Sequence, residues 1–369
     1  MPALLVCACG PGSENTGEIR WKEIPLAMDS LAIDQILVPA QMQIKGDLAV
    51  VMSGKTDTIF HVFSLPDFHF LYKDGVSGEG LDDFSFGEMV SYPSESAFAK
   101  YEILKREVRV LGVTEDGFET EKVLRRSKGL GNVLSVVNDS LLIMENVDWR
   151  ANKLGICVYN CKQGQVTDTL SGLKSYAKNT RIGYTMMSIF NYYSILGYGD
   201  RFVLSYYLMD RLEFFRVSPE GKVSLIKGRG EEEMSDALKS YLQVDTQLKG
   251  RDMSSVPELQ NPRLFYGRGG YATKDHVFLI SAEGLTSGEQ DEKRKNKELQ
   301  VALDVFTWEG NPVGRIHLPW ADVFFRIPFA VSEKYNTIYA VDPQRDFDKV
   351  IELLAGTVSD ADVGPSMRV

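Results

Sequence analysis

The sequence predicts an all-β protein, a six-bladed β-propeller whose four-stranded antiparallel blades form a ring closed by an N-terminal strand. Three observations predict it. Short apolar strand-like segments separated by Gly- or Pro-containing turns recur as six degenerate copies between residues 33 and 354, against five or seven as the alternative counts. Helical periodicity is scarce, and the last copy is one strand short. A chain of 369 residues exceeds the size at which one compact core keeps growing. A repeat architecture escapes that limit because each unit packs only on its neighbours.

The first copy reads Gly46-Asp47-Leu48-Ala49-Val50-Val51-Met52, Ile59-Phe60-His61-Val62-Phe63 and Phe68-His69-Phe70-Leu71-Tyr72. The second spans 101–104, 108–113, a Glu115-Asp116-Gly117 turn and 121–124. The third spans 140–144, 154–159, a Lys162-Gln163-Gly164 turn and 166–170. The fourth is the clearest, with 199–206, 212–217, a Ser218-Pro219-Glu220-Gly221 turn and 222–226. The fifth has 276–280, 301–306, a Glu309-Gly310-Asn311 turn and 313–316. The sixth holds 336–341 and 349–354, then runs out. Innermost strands precede the hairpins, as Val38-Pro39-Ala40-Gln41-Met42-Gln43-Ile44 and Ile327-Pro328-Phe329-Ala330-Val331 show by their equivalent positions.

The missing strand of the sixth copy is expected from the N-terminus. Residues 18–25 alternate apolar and polar and precede the first copy, so they are assigned as the outer strand that closes the ring and covers an exposed edge. A helical face of Met234, Ala237, Leu238, Tyr241 and Leu242 marks an insertion near 231–246. The Glu-, Lys- and Asp-rich segment near 285–299 reads as a charged hairpin, and 357–369 as a disordered tail. The propeller is therefore bounded at 18–356.

Net charge is −10 and the pI near 5.1, which argues against nucleic acid and against a polybasic membrane patch. The first 17 residues differ in character. Ala3-Leu4-Leu5-Val6-Cys7-Ala8-Cys9-Gly10 looks like the end of a bacterial lipoprotein signal followed by a flexible linker, with Cys9 as the lipidated residue. It lacks a basic n-region and a full-length apolar core, both of which a start codon placed too far downstream would explain. The expected location is the bacterial envelope, periplasmic or surface-exposed, with any membrane contact made through that lipid. Cys157 and Cys161 lie four apart, about 13 Å on a straight strand and beyond disulfide reach. A turn near Asn160 would permit a bridge, and buried or turn cysteines are the simpler reading.

Lys73-Asp74-Gly75-Val76-Ser77-Gly78-Glu79-Gly80-Leu81-Asp82-Asp83-Phe84 is similar to the Gly-x-Gly-x-Gly-Pro-x-Glu-Phe segment of the TolB-like six-bladed propellers, relatives of the NHL type. The proline is missing and Asp83 stands at the acidic place. Lys227-Gly228-Arg229-Gly230 and Lys128-Gly129-Leu130-Gly131 echo it. The resemblance implies a propeller fold and a secreted or membrane-anchored location, and implies little about activity. No βαβ unit surrounds these glycines, so their expected role is backbone freedom where the chain crosses between blades, rather than phosphate binding.

No nucleophile elbow, zinc-protease motif or calcium loop is present. His61, His69, His276 and His317 show no paired-ligand spacing and read as structural, and no metal or other cofactor is expected. Propellers bind at the channel mouth, where loops from all blades converge. Residues just before the innermost strands are the candidates: Arg181, Tyr184, Asn191, Tyr192, Arg263, Tyr266, Asp322, Phe324 and Arg326. Arginine and aromatic side chains suit recognition of a protein, peptide or glycan, and equally suit wedging blades together. The function expected is a monomeric, non-enzymatic binding propeller. The alternatives are a metal-dependent hydrolase or lyase with a carboxylate-built axial site, and a purely structural interaction module.

Overall fold

The computed structural model describes residues 19–33, 39–54, 57–80, 82–127, 129–148, 153–170, 193–206, 210–231, 264–296, 298–318, 328–341 and 351–358. Strand β1 (Leu26–Ile33) comes first. A first sheet follows from β2 (Pro39–Lys45), β3 (Leu48–Ser53), β4 (Thr58–Ser64) and β5 (His69–Val76). The second has β6 (Gly87–Val90), β7 (Ala97–Glu102), β8 (Glu107–Val113) and β9 (Phe118–Arg125). The third has β10 (Val133–Val136), β11 (Leu141–Asp148), β12 (Lys153–Asn160) and β13 (Gln165–Leu170). The fourth has β14 (Tyr193–Tyr198), β15 (Arg201–Tyr206), β16 (Arg211–Val217) and β17 (Val223–Gly230). The fifth has β18 (Leu264–Ala272), β19 (His276–Glu283), β20 (Val301–Thr307) and β21 (Pro312–Leu318). The sixth sheet is β22 (Phe329–Ser332), β23 (Thr337–Val341), β24 (Ile351–Val358) and, outermost, β1. Every pairing within these sheets is antiparallel.

Apolar residues run consecutively along the second and third strands because both faces of each sheet are buried. In β3, Ala49 and Val51 enter a core shared with the sixth sheet, whereas Val50 and Met52 enter one shared with the second. The same division continues round the molecule. Further cores lie between second and third, third and fourth, fourth and fifth, and fifth and sixth sheets. Inner strands touch their neighbours in the same cyclic order, β2 against β22 included. This is a propeller of four-stranded antiparallel blades.

The N-terminal closing strand exists, but not where residues 18–25 were expected to supply it. Leu26–Ile33 pairs in full register with β24, from Leu26↔Val358 to Ile33↔Ile351. Ile33 is 4% exposed in the core between sixth and first sheets, with Leu31 beside it on the same face. Residues 21–24 instead strap the outer strand of the fifth sheet. Backbone bonds join Ile24 N to Arg315 O at 2.8 Å and Arg315 N to Lys22 O at 2.8 Å. The Arg315 guanidinium lies 4.6 Å from the Trp21 ring centre and forks onto the buried Asp304 carboxylate at 2.6 and 2.8 Å. Residues 18–25 alternate as a strand should, but Trp21 and Ile24 fit the flank of β21, and Leu26–Ile33 takes the edge of β24.

The charged segment expected as a hairpin near 285–299 is a helix, α1 (Ser287–Lys295). Thr286 and Glu289 form a capping box, with Thr286 N donating to Glu289 Oε2 at 2.9 Å and Glu289 N to Thr286 Oγ1 at 3.3 Å. The last strand reaches Val358, two residues into the stretch read as a disordered tail. The helical insertion near 231–246, the remainder of the tail and Cys9 lie outside the described residues. Cys157 and Cys161 are free thiols, and burial pushes both up to about 11.

Ile33→Ala is expected to lower unfolding free energy by about 2–5 kcal/mol, the usual cost of emptying a buried isoleucine site. Urea denaturation checks this. The same change at exposed Met28 should cost roughly 0.5 kcal/mol or less.

Candidate functional site

The inner strands β2, β6, β10, β14, β18 and β22 leave one edge unpaired and face a shared axial channel of about 1430 Å³. At the end where these strands begin, Ser77, Ser85, Phe86, Glu88, Asn132 and Glu145 line it. Phe86 is 75% exposed there, the most exposed large apolar side chain described. Glu145 accepts the Asn132 N–H at 3.1 Å, and burial together with the Glu88 carboxylate pushes its acid above the ordinary range.

The glycine-rich link after the first sheet builds this rim. Ser77 and Phe84 pair as a short parallel bridge, with Phe84 N donating to Val76 O at 2.8 Å. Asp83 Oδ2 accepts the Gly80 N–H at 2.9 Å. A Cβ at Gly78 or Gly80 would collide with that carboxylate, so space decides these two positions. Only Gly75, at φ +82°, is needed for its dihedral. Lys105 donates to the carbonyls of Gly80 and Asp83 at 2.7 Å each, which ties the link to the second sheet.

Beneath the link, Phe84 packs edge-on to Phe60 at 5.3 Å, and Lys100 and Arg109 sit over its ring at 5.9 and 5.2 Å. Lys100 Nζ donates to Ser85 O at 2.8 Å and to Glu102 Oε1 at 2.6 Å, and Glu102 Oε2 takes both Ser85 N and Ser85 Oγ at 2.6 Å. The pair is buried, at 1% and 0% side-chain exposure. Burial holds the Lys100 ammonium below its ordinary value. Besides each other, the two side chains bond Ser85, through its carbonyl, its N–H and its hydroxyl, one residue before Phe86.

The opposite end, where inner strands turn into second strands, carries polar contacts that cross the channel. Three hydrogen bonds there skip over an intervening sheet. Tyr271 Oη of the fifth sheet accepts Ile44 N–H of the first at 2.9 Å. Tyr198 Oη of the fourth donates to Glu95 Oε1 after β6 at 3.2 Å. Ser91 Oγ donates to Gly197 O, where a Cβ on Gly197 would strike Ser135. Between adjacent sheets, Lys45 donates to Tyr92 O and Ser94 O at 3.0 Å each. His276 Nδ1 and Thr273 Oγ1 both bond Glu333 Oε1, at 2.8 and 2.5 Å. Lys45 is only 6% exposed, and burial lowers its ammonium to about 8, against a smaller upward pull from Glu95.

Of the expected mouth residues, Arg181, Tyr184, Asn191, Tyr192, Arg263, Asp322, Phe324 and Arg326 lie outside the described residues. Tyr266 is on β18 with its backbone opposite Ser281. Phe86 was missed although it stands immediately before β6, where such residues were sought. The polar residues Gln41, Gln43 and Lys45 were missed because β2 was read only for its position before its hairpin. His61 is buried in β4, and His276 Nδ1 bonds Glu333 Oε1. Among the described residues no group of three or more His, Cys, Asp or Glu side chains lies close enough to hold a metal ion.

Comparison with known proteins places this geometry. The family described as TolB-like 6-blade propeller-like matches residues 22–321. The chain belongs to that family. No curated protein matches it. Among solved structures, a DUF4221 family member from Bacteroides vulgatus ATCC 8482 is similar at TM-score 0.53 and 10% identity, covering 92% of this chain and 99% of its own. A protein from Bacteroides fragilis NCTC 9343, named as a candidate exported protein, is similar at TM-score 0.50 and 11% identity, covering 92% and 100%. At these identities the likeness of this TolB-like chain to them is one of fold.

Two outcomes test the site's wiring. Glu102→Gln should destabilise the protein by about 3–5 kcal/mol, because it strands a buried ammonium, as urea denaturation would measure. Lys45 gives a pH signature. Its folded pKa of about 8 lies below the ordinary 10.5, so between these values the unfolded chain holds a proton the folded one has released, and stability rises with pH. From about pH 8 to 10 the wild type should gain on the order of 2 kcal/mol relative to Lys45→Met. Paired denaturation curves at each pH check it.

Proposed function

We propose that this chain is a closed six-bladed binding propeller of the bacterial envelope, recognising a protein, peptide or glycan at the channel end where the inner strands begin. The observation that carries this reading is Phe86. A phenylalanine 75% exposed on a channel rim has no packing use, whereas aromatic side chains at concave openings serve recognition. The link that presents it is fixed by Lys105, Lys100 and Glu102, so the ring is held ready rather than ordered on binding.

Six four-stranded sheets with a core between each successive pair support the closed six-bladed count. The envelope location draws on the lipoprotein-like N-terminus, with Cys9 as the lipidated residue, and on the fold likeness to a protein named as a candidate exported one.

Arrays of peptides and of glycans probed with wild type and Phe86→Ala test the binding reading. One ligand class should bind saturably, and the substitution should weaken it by about thirtyfold, as loss of an aromatic anchor does. Binding that ignores Phe86→Ala would overturn it. Mass spectrometry of the native membrane fraction should find Cys9 lipidated at the mature N-terminus, and an unmodified Cys9 there would sink the anchor.

A further inference from the structure

At the turn end of the channel, Lys45 is a buried cation with incomplete partners. An ammonium carries three protons. Two of them go to the neutral carbonyls of Tyr92 and Ser94. Among the described residues no carboxylate forms an ion pair with it, and burying a charge without one is costly. One residue earlier on β2, the Ile44 N–H is taken by Tyr271 Oη. Having accepted there, the Tyr271 hydroxyl still has its own proton to give. Both side chains line the same cavity.

We propose that Lys45 and Tyr271 form a binding site for a carboxylate group lying in the channel. One carboxylate oxygen takes the third Lys45 proton and the other takes the Tyr271 hydroxyl proton. The charge balance selects the class of anion. One ammonium is neutralised by one negative charge. Glu95 and Glu333 both act electrostatically on Tyr271, and Glu95 also acts on Lys45, so a dianion such as phosphate is repelled. Lys334, another cation lining this end, is already committed to Asp47 at 2.6 Å. Glu95 is the internal competitor, and its Oε1 accepts the Tyr198 hydroxyl. The site does not depend on what binds at Phe86.

Sodium acetate, titrated at constant ionic strength against sodium chloride and followed by NMR of lysine ¹³Cε-labelled protein, tests the proposal. One lysine signal, absent from Lys45→Met, should move saturably with acetate and not with chloride. Acetate should raise the pKa of that lysine above about 8, because a bound anion favours the charged form. Tyr271→Phe should weaken acetate about tenfold, the loss of one hydrogen bond to a charged group. Glu95→Gln should strengthen it, and inorganic phosphate should bind more weakly than acetate. An unsaturating response, an equal response to chloride, or full affinity in Tyr271→Phe would overturn the site. So would a response that appears only after Glu95→Gln, since Glu95 would then be the counter-ion of Lys45. The wild-type signal and Tyr271→Phe keep the test decisive if Lys45→Met does not fold.

Discussion

Burial of both faces of every sheet is the constraint on which the rest of this structure depends. A sheet with Ala49 and Val51 on one face and Val50 and Met52 on the other cannot hide either set by itself. Each face must be covered by a neighbouring sheet, and the neighbour has the same need on its far side. Only a closed cycle satisfies every member. The sixth sheet would otherwise present the outer edge of β24, and β1 occupies that edge along eight paired positions. The strand is the fastening, and Ile33 drives it by burying itself where the last sheet meets the first.

The channel is a consequence of the same closure. Inner strands have no partner on their axial edge, so their backbone groups must find acceptors and donors across the bore or in solvent. Side chains supply some of them, as Tyr271 does for Ile44 N across the bore and as Gln41 does for Met89 N between adjacent sheets at 2.6 Å. At the end from which the strands start, Phe86 stands exposed on the rim. The polarity of the channel wall thus follows from backbone accounting, and Phe86 lies on a surface the fold had to leave open.

What was legible in the sequence follows this division. Sheet order and the hairpins could be read because their signals are local, such as consecutive apolar runs, and turns like Ser218-Pro219-Glu220-Gly221, where Gly221 has φ +79°. The need for a borrowed strand could also be read, since a missing element is a matter of counting. Its identity could not. Residues 18–25 carry the alternating pattern and β1 does not, and what assigns them is a fit of Trp21 against Arg315 and Phe306 that joins positions far apart in the chain. Helix α1 did carry a local signal, the Thr286-Ser287-Gly288-Glu289 capping box, which charge content obscured. The rim was half legible. A rule that sought aromatic residues before inner strands reaches Phe86, but its exposure depends on Lys100 and Glu102, whose partners belong to the link.

Closure and channel are also linked mechanically. Tyr271 spans from the fifth sheet to the first, across the sixth, and packs against the cores on both sides of that sixth sheet. The distance it bridges is therefore set by how tightly the sixth sheet is seated, which in turn rests on β1 and Ile33. Tyr271 thus leans on the seating of the sixth sheet, whereas the rim is tied separately through Lys105 and the Lys100–Glu102 pair. The two ends of the channel answer to different supports. The turn end is held through ring closure, and the end where the inner strands begin through the junction of the first and second sheets.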